Sequence, residues 1–225
     1  MRYALASIAL IGSMVGGFLV PTVANPGGVA YHIYYLGDSI TFGRSATTYA
    51  HSYRALVAAY LAQNPRVHVT IENQPDDLTR YSATWHSGWK LVDALTAEAA
   101  TPPQAATNLI VVEIGTNDSG SSTPIAAFTS GYAQLITSLV AAAPGAEVVC
   151  LTSWDTPVHA AAYDAVIQAD CPAGRTVDLS ALYAQAALHG PVGTKESWLG
   201  TYTTDSFHPN DKGHSAIAAE IEAWL

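Results

Sequence analysis

Strand-like and helix-like segments alternate along the 225 residues, and that order predicts a three-layer α/β fold around a parallel sheet. Two further observations point the same way. Residues 109–114 (Leu-Ile-Val-Val-Glu-Ile) are apolar at nearly every position, as a strand covered on both faces must be. No internal repeat or second block of composition interrupts the alternation, so one domain with one substantial core is expected.

Taken in order, the chain begins with Arg2, an apolar run over residues 4–20 and then Pro21-Thr22-Val23-Ala24. A short apolar stretch behind a basic residue and before small residues is the pattern of a cleaved export signal. Residues 1–24 are therefore expected to be a signal peptide and residues 25–225 the domain, with no stable membrane insertion once the signal is removed. An uncleaved anchor is the alternative, because the run approaches spanning length. After Pro26-Gly27-Gly28, residues 31–36 read as the first strand, stopped by Gly37. A helix follows with Tyr53, Leu56, Val57, Tyr60 and Leu61 on one face, and Pro65 ends it. Residues 67–71 read as the second strand, 73–87 as a polar loop, and Trp89, Leu91, Val92 and Leu95 as the face of a helix ending before Pro102-Pro103.

The third strand, 109–114, precedes a long helix over 124–143 that Pro144-Gly145 stops. Residues 147–151 read as the fourth strand, 158–169 as an alanine-rich helix, 175–179 as the fifth strand and 181–188 as a further helix. A loop over 189–204 then leads to Asp205-Ser206-Phe207-His208-Pro209 and a last helix over 212–225.

Charge and cysteine usage narrow the function. A formal charge of −9 with nine Lys and Arg in all excludes a nucleic-acid partner, since phosphate binding needs clustered basic residues. An anionic membrane surface would repel such a chain. Cys150 and Cys171 fit an oxidising compartment. Paired, they would close a loop of roughly twenty residues, worth about 3 kcal/mol in the chain-entropy picture; two buried thiols are the alternative. Their spacing builds no metal site. No phosphate-cradling glycine motif is present, so neither a metal nor a nucleotide cofactor is expected.

In parallel α/β sheets, ligands bind beyond the carboxyl ends of the strands. Ser39 follows the first strand, Asn117 the third, and Asp205 and His208 lie in the loop before the last helix. A carboxylate three residues before a histidine can orient the imidazole, and an imidazole so held can take a proton from a serine hydroxyl. Backbone N–H groups and the Asn117 amide could then stabilise an oxyanion. Each residue also has a structural use: Ser39 or Asn117 as a cap, Asp205 as a turn former, His208 as a loop residue and Gly88 as a helix opener.

Together, Gly37-Asp38-Ser39-Ile40-Thr41, Gly115-Thr116-Asn117-Asp118 and Asp205-Ser206-Phe207-His208-Pro209 resemble the SGNH hydrolase superfamily, the GDSL esterases and lipases. The resemblance runs from the first strand to the last helix. It implies a flavodoxin-like SGNH fold with a five-stranded parallel sheet. Ser39 would be the nucleophile, His208 the base, Asp205 its partner, and Asn117 with the Gly88 backbone the oxyanion donors. Ile40 departs from the leucine of the family's name, and Gly88 is the one glycine in the region where the family's glycine belongs. The segment His86-Ser87-Gly88-Trp89 is also similar to the glycine block of secreted carbohydrate esterases, including acetyl xylan esterases. A secreted serine esterase acting on a small-molecule or polysaccharide ester is therefore expected, with a short acyl group. A lipid-directed esterase and a non-catalytic module of the same fold are the alternatives. Tyr81, Trp85, Trp89, Trp198, Tyr202 and Phe207 could stack on sugars, line an acyl pocket, or pack beneath their loops.

Overall fold

In a computed structural model, described for residues 28–78, 80–193, 198 and 202–225, five parallel strands form one sheet in the order β2-β1-β3-β4-β5. The strands are β1 (Val29–Gly37), β2 (Val67–Ile71), β3 (Leu109–Glu113), β4 (Glu147–Leu151) and β5 (Thr176–Val177). Around them run α1 (Ser39–Phe42), α2 (Tyr53–Leu61), α3 (Leu91–Ala100), α4 (Thr116–Gly120), α5 (Ile125–Ala142), α6 (Pro157–Asp170), α7 (Leu179–Tyr183) and α8 (Asp211–Glu222). The expected signal peptide lies outside the described residues.

Period-two alternation along the central strands builds the three layers. Tyr34, Leu36, Ile110, Val112 and Val148 face a cluster closed by α3, α5 and α6 through Leu91, Phe128, Tyr132, Leu135 and Ile167. Their neighbours Ile33, Tyr35, Leu109, Val111 and Val149 face the opposite cluster, closed by α2 and α8 through Tyr53, Val57, Ile217 and Ile221. Each such side chain contributes about 1.5–3 kcal/mol by leaving water. The 18 residues of α5 are long and apolar enough to cross a membrane, yet Phe128, Tyr132, Leu135 and Leu139 place one face in the core.

From β1 the chain passes to β2 on one side and then to β3 on the other, so the strand order reverses between β1 and β3. The crevice outside that reversal is where open parallel sheets bind ligands. Register makes the two ends level: Gly37 pairs with Glu113. A side chain at position 37 would collide with the Thr41 hydroxyl, so the turn after β1 requires glycine.

Boundaries differ from expectation mainly after β4. The fifth strand is two residues long because Asp178 accepts from the Ala181 N–H at 3.0 Å and caps α7 from Leu179 onward. The single helix expected over 181–188 is instead the end of α7 and a separate 3-10 turn at Ala186–Leu188. Asn210 caps α8 one residue earlier than anticipated, accepting from the Gly213 N–H at 3.0 Å. One-turn helices α1 and α4 are too short to show a hydrophobic period.

Cys150 of β4 and Cys171 at the end of α6 are joined in a disulfide. The chain-entropy model assigns the loop it closes about 3 kcal/mol. Reduction is therefore expected to lower Tm by roughly 6–12 °C in a domain of this size. A thermal melt unchanged by reductant, with both thiols shown free by alkylation, would refute that role.

Buried His214 of α8 ties the core to the loop after α1. Its Nε2–H donates to the Arg44 carbonyl at 2.9 Å, and its Nδ1 accepts from the Tyr53 N–H at 3.4 Å. Those partners fit only the neutral ring. Burial pulls its pKa down to about 4, against the opposing pull of the Arg44 carbonyl and Asp211. The unfolded chain then binds this proton first. Stability from His214 is complete above an unfolded value near 6.5 and is lost as pH falls toward about 4, by about 3 kcal/mol. Urea midpoints at pH 7.5 and 4.5 should show the loss, and His214→Gln should flatten it; equal slopes in both proteins would refute the assignment.

Candidate active site

Immediately after β1, Asp38 caps α1 by accepting the Ile40 N–H on Oδ1 at 2.9 Å, which makes Ser39 the first helical residue. Beneath this turn lies Glu113, the last residue of β3 and fully buried. Its Oε2 accepts from the N–H of Asp38 (3.1 Å), the N–H of Thr41 (3.3 Å) and the Thr41 hydroxyl (3.0 Å). Oε1 accepts from the Thr116 hydroxyl at 3.3 Å. Burial pushes the Glu113 carboxyl well above the usual carboxylate range, and the adjacent Asp38 charge and hydrogen bond push it further. Burial also raises Asp38, but its hydrogen bonds to Glu113 and to the Ile40 N–H act in the opposite direction. Both carboxyls are thus pushed toward the protonated form, Glu113 the more strongly.

His208 reaches the turn from the other end of the chain. Its Nε2 lies 2.9 Å from Ser39 Oγ and its Nδ1 2.7 Å from Asp205 Oδ2. Asp205 Oδ1 accepts the N–H groups of Phe207 (2.9 Å) and His208 (2.7 Å). One carboxylate thus closes its own turn and faces the ring, which is what the three-residue spacing provides. Burial raises the Asp205 pKa, but the hydrogen bond and charge of His208 and the two N–H groups outweigh it and hold the carboxyl well below its usual range. The carboxylate fixes the proton on Nδ1, leaving Nε2 as acceptor for the Ser39 hydroxyl. Trp154 Nε1 donates to the Phe207 carbonyl at 2.6 Å, and the Arg44 guanidinium sits 3.7 Å from Asp205 Oδ2 and over the Tyr202 ring.

Gly88 is positioned by the segment before it. The Gly37 N–H donates to the Thr84 carbonyl (3.1 Å) and the His86 N–H to the Gly37 carbonyl (3.2 Å), laying this segment along the end of β1. Gly88 has φ +81, a left-handed conformation natural to glycine. Among the described residues, no acceptor lies within hydrogen-bond reach of the Gly88 or Ser39 N–H. Asn117 is different. Its Nδ2 donates to Asp38 Oδ2 at 2.7 Å and to the Trp89 carbonyl at 2.9 Å, so both amide hydrogens are engaged. Either would have to turn to meet a substrate oxyanion.

All five residues singled out from the sequence therefore gather at the β1/β3 reversal. Glu113 was missed, although a charged residue inside an otherwise apolar strand is a flag, since buried glutamates are rare unless paired. The aromatic residues serve mostly as packing. Trp85 is fully buried under the Arg54 guanidinium, 4.3 Å from its ring centre. Tyr81 stacks on His86 at 3.7 Å and reaches the Tyr202 hydroxyl at 3.1 Å, joining the two loops. Trp198 donates to the Ala46 carbonyl at 2.9 Å.

Residues 35–216 match the GDSL-like lipase/acylhydrolase family. The chain belongs to this family. It is a carboxylic ester hydrolase with an α/β SGNH fold. Among solved structures, this GDSL-like hydrolase is similar to a two-domain esterase active on acetylated mannans (TM-score 0.60, 20% identity, covering 88% of this chain and 48% of that one). It spans about half the length of that esterase. It is also similar to phospholipase A1 from Streptomyces albidoflavus NA297 (TM-score 0.61, 18% identity, covering 88% and 100%). A third likeness is to Axe2, an acetylxylan esterase from Geobacillus stearothermophilus (TM-score 0.59, 17% identity, covering 88% and 94%). At these identities the likeness is one of fold. No curated protein matches the chain.

Proposed function

We propose that this GDSL-like hydrolase is an exported serine esterase that removes short acyl groups, acetyl above all, from a carbohydrate or other soluble ester. The observation that carries the reading is the 2.9 Å approach of Ser39 Oγ to His208 Nε2, with Asp205 behind the ring at 2.7 Å. Ser39 Oγ attacks the ester carbonyl carbon while its proton passes to His208 Nε2. The oxyanion is met by the N–H groups of Ser39 and Gly88 and by the Asn117 amide, once that amide releases one acceptor. Collapse expels the alcohol, which takes the proton from His208 and leaves an acyl group on Ser39. Water, deprotonated by the same imidazole, then releases the acid and restores the serine.

Export is supported by the pattern of residues 1–24 and by the Cys150–Cys171 bridge, which suits an oxidising compartment. The esterase active on acetylated mannans and the acetylxylan esterase of similar fold favour acetylated polysaccharide. The phospholipase A1 of similar fold supports a lipid ester as the second reading. An acyl-chain series of p-nitrophenyl esters, run beside acetylated xylan, separates the two. We expect kcat/KM to be highest for acetate and to fall at least tenfold by decanoate; a maximum at eight carbons or beyond would favour the lipid reading.

A further inference from the structure

Beside the reaction centre lies an open cleft of about 440 Å³, lined by Gly88, Asn117 and Phe207 and also by Lys90, Asp155 and His159. Its size falls within the range of small-ligand sites. Lys90, Asn117, Asp155 and His159 make much of its lining polar, and one of these groups is held firmly. Asp155, 8% exposed, accepts from the Ser119 hydroxyl on Oδ2 at 2.7 Å and from the Thr156 N–H on Oδ1 at 2.6 Å. A carboxylate offers about four lone-pair sites, so acceptor capacity remains on a residue that lines the cleft. His159, one turn later on α6 with its side chain 70% exposed, brings Nδ1 to 3.8 Å from Asp155 Oδ1. Trp154 Nε1 donates to the Phe207 carbonyl and so fixes this wall relative to the adjacent His208.

We infer that this cleft is a binding site for the hydroxylated part of the substrate, with Asp155 and His159 accepting and donating hydrogen bonds to sugar hydroxyls. A hydrocarbon chain laid here would strip water from the Asp155 carboxylate and the Lys90 ammonium and return no hydrogen bond, which burial of polar groups penalises. A polyol replaces that water with its own hydroxyls, and a carboxylate already pinned by Ser119 and Thr156 loses little freedom in accepting them. The walls therefore select for a polyhydroxy moiety and against a long acyl tail. This rests on the esterase reading above, in which Ser39 is the nucleophile.

Two substrates with the same acetyl group test it: p-nitrophenyl acetate and a partially acetylated xylo-oligosaccharide. In His159→Ala and Asp155→Asn, kcat/KM should fall at least fivefold further for the oligosaccharide than for the aryl ester. The deacetylated oligosaccharide should inhibit the wild-type enzyme competitively, and His159→Ala should raise its inhibition constant by a similar factor. Because the His159 side chain is exposed, that variant should fold even if Asp155→Asn does not. Equal losses on both substrates, no inhibition by the deacetylated sugar, or faster wild-type hydrolysis of p-nitrophenyl decanoate than of the acetylated sugar would overturn the site while leaving the serine esterase intact. Wild-type turnover of p-nitrophenyl acetate by Ser39→Ala would instead overturn the nucleophile on which both depend.

Discussion

Ser39→Ala is expected to lower kcat for p-nitrophenyl acetate by at least about ten-thousand-fold, the scale on which acyl-transfer enzymes lose activity with their nucleophile. Ser39 is 4% exposed and its hydroxyl meets the His208 imidazole rather than a backbone group of the core, so little in the fold depends on it and the variant should melt like the wild type. His208→Ala should cost a similar factor. The two effects should not multiply, because a nucleophile without its base and a base without its nucleophile are both idle. A double variant no worse than either single one is the result that identifies them as a unit; losses that multiply would mean the residues act independently. Asn117→Ala should fall short of both, at about a hundred-fold, since the Ser39 and Gly88 N–H groups remain.

Glu113→Ala is expected to cost about 4 kcal/mol of stability, since each buried donor left without an acceptor costs about 1–3 kcal/mol. Four donors lose their acceptor at once: the Asp38 and Thr41 N–H groups and the Thr41 and Thr116 hydroxyls. Asp38, which accepts from the Asn117 amide, also loses the neighbouring carboxyl whose hydrogen bond opposes the effect of its burial. Glu113→Gln keeps an acceptor oxygen and a donor for Asp38, and should cost about 1 kcal/mol. The sign of the pH effect separates these variants further. Because the folded pKa of Glu113 is raised, its contribution is complete below the unfolded value and declines as pH rises above it. Gln removes that dependence. Urea unfolding of the alanine variant within 1 kcal/mol of wild type would mean that Glu113 does not anchor the nucleophile turn.

Much of this was legible without coordinates because the signals are local. The Asp205 carboxylate and His208 imidazole are three residues apart, so a single turn decides whether they meet. The second and fourth strands lie where short β-branched runs after Pro65 and after Pro144-Gly145 place them, at Val67–Ile71 and at Glu147–Leu151. Where local signals competed, the reading failed. The run 175–179 is β-rich, but the Asp178 cap outweighs it and begins a helix. An apolar strand shows that residue 113 is buried without showing what its carboxyl meets.

Sequence alone determined the order of strands and helices and placed Ser39, Asn117, Asp205 and His208 at one edge of the sheet; the single core it led one to expect is two apolar clusters, one on each face of that sheet. Tertiary structure decided which of these groups touch. Ser39 and His208 are 169 residues apart, and Asp38 and Asn117 are 79 apart. Contacts over such separations depend on strand register and on the reversal of strand order between β1 and β3, and register is a property of the assembled sheet, settled by how two buried faces pack.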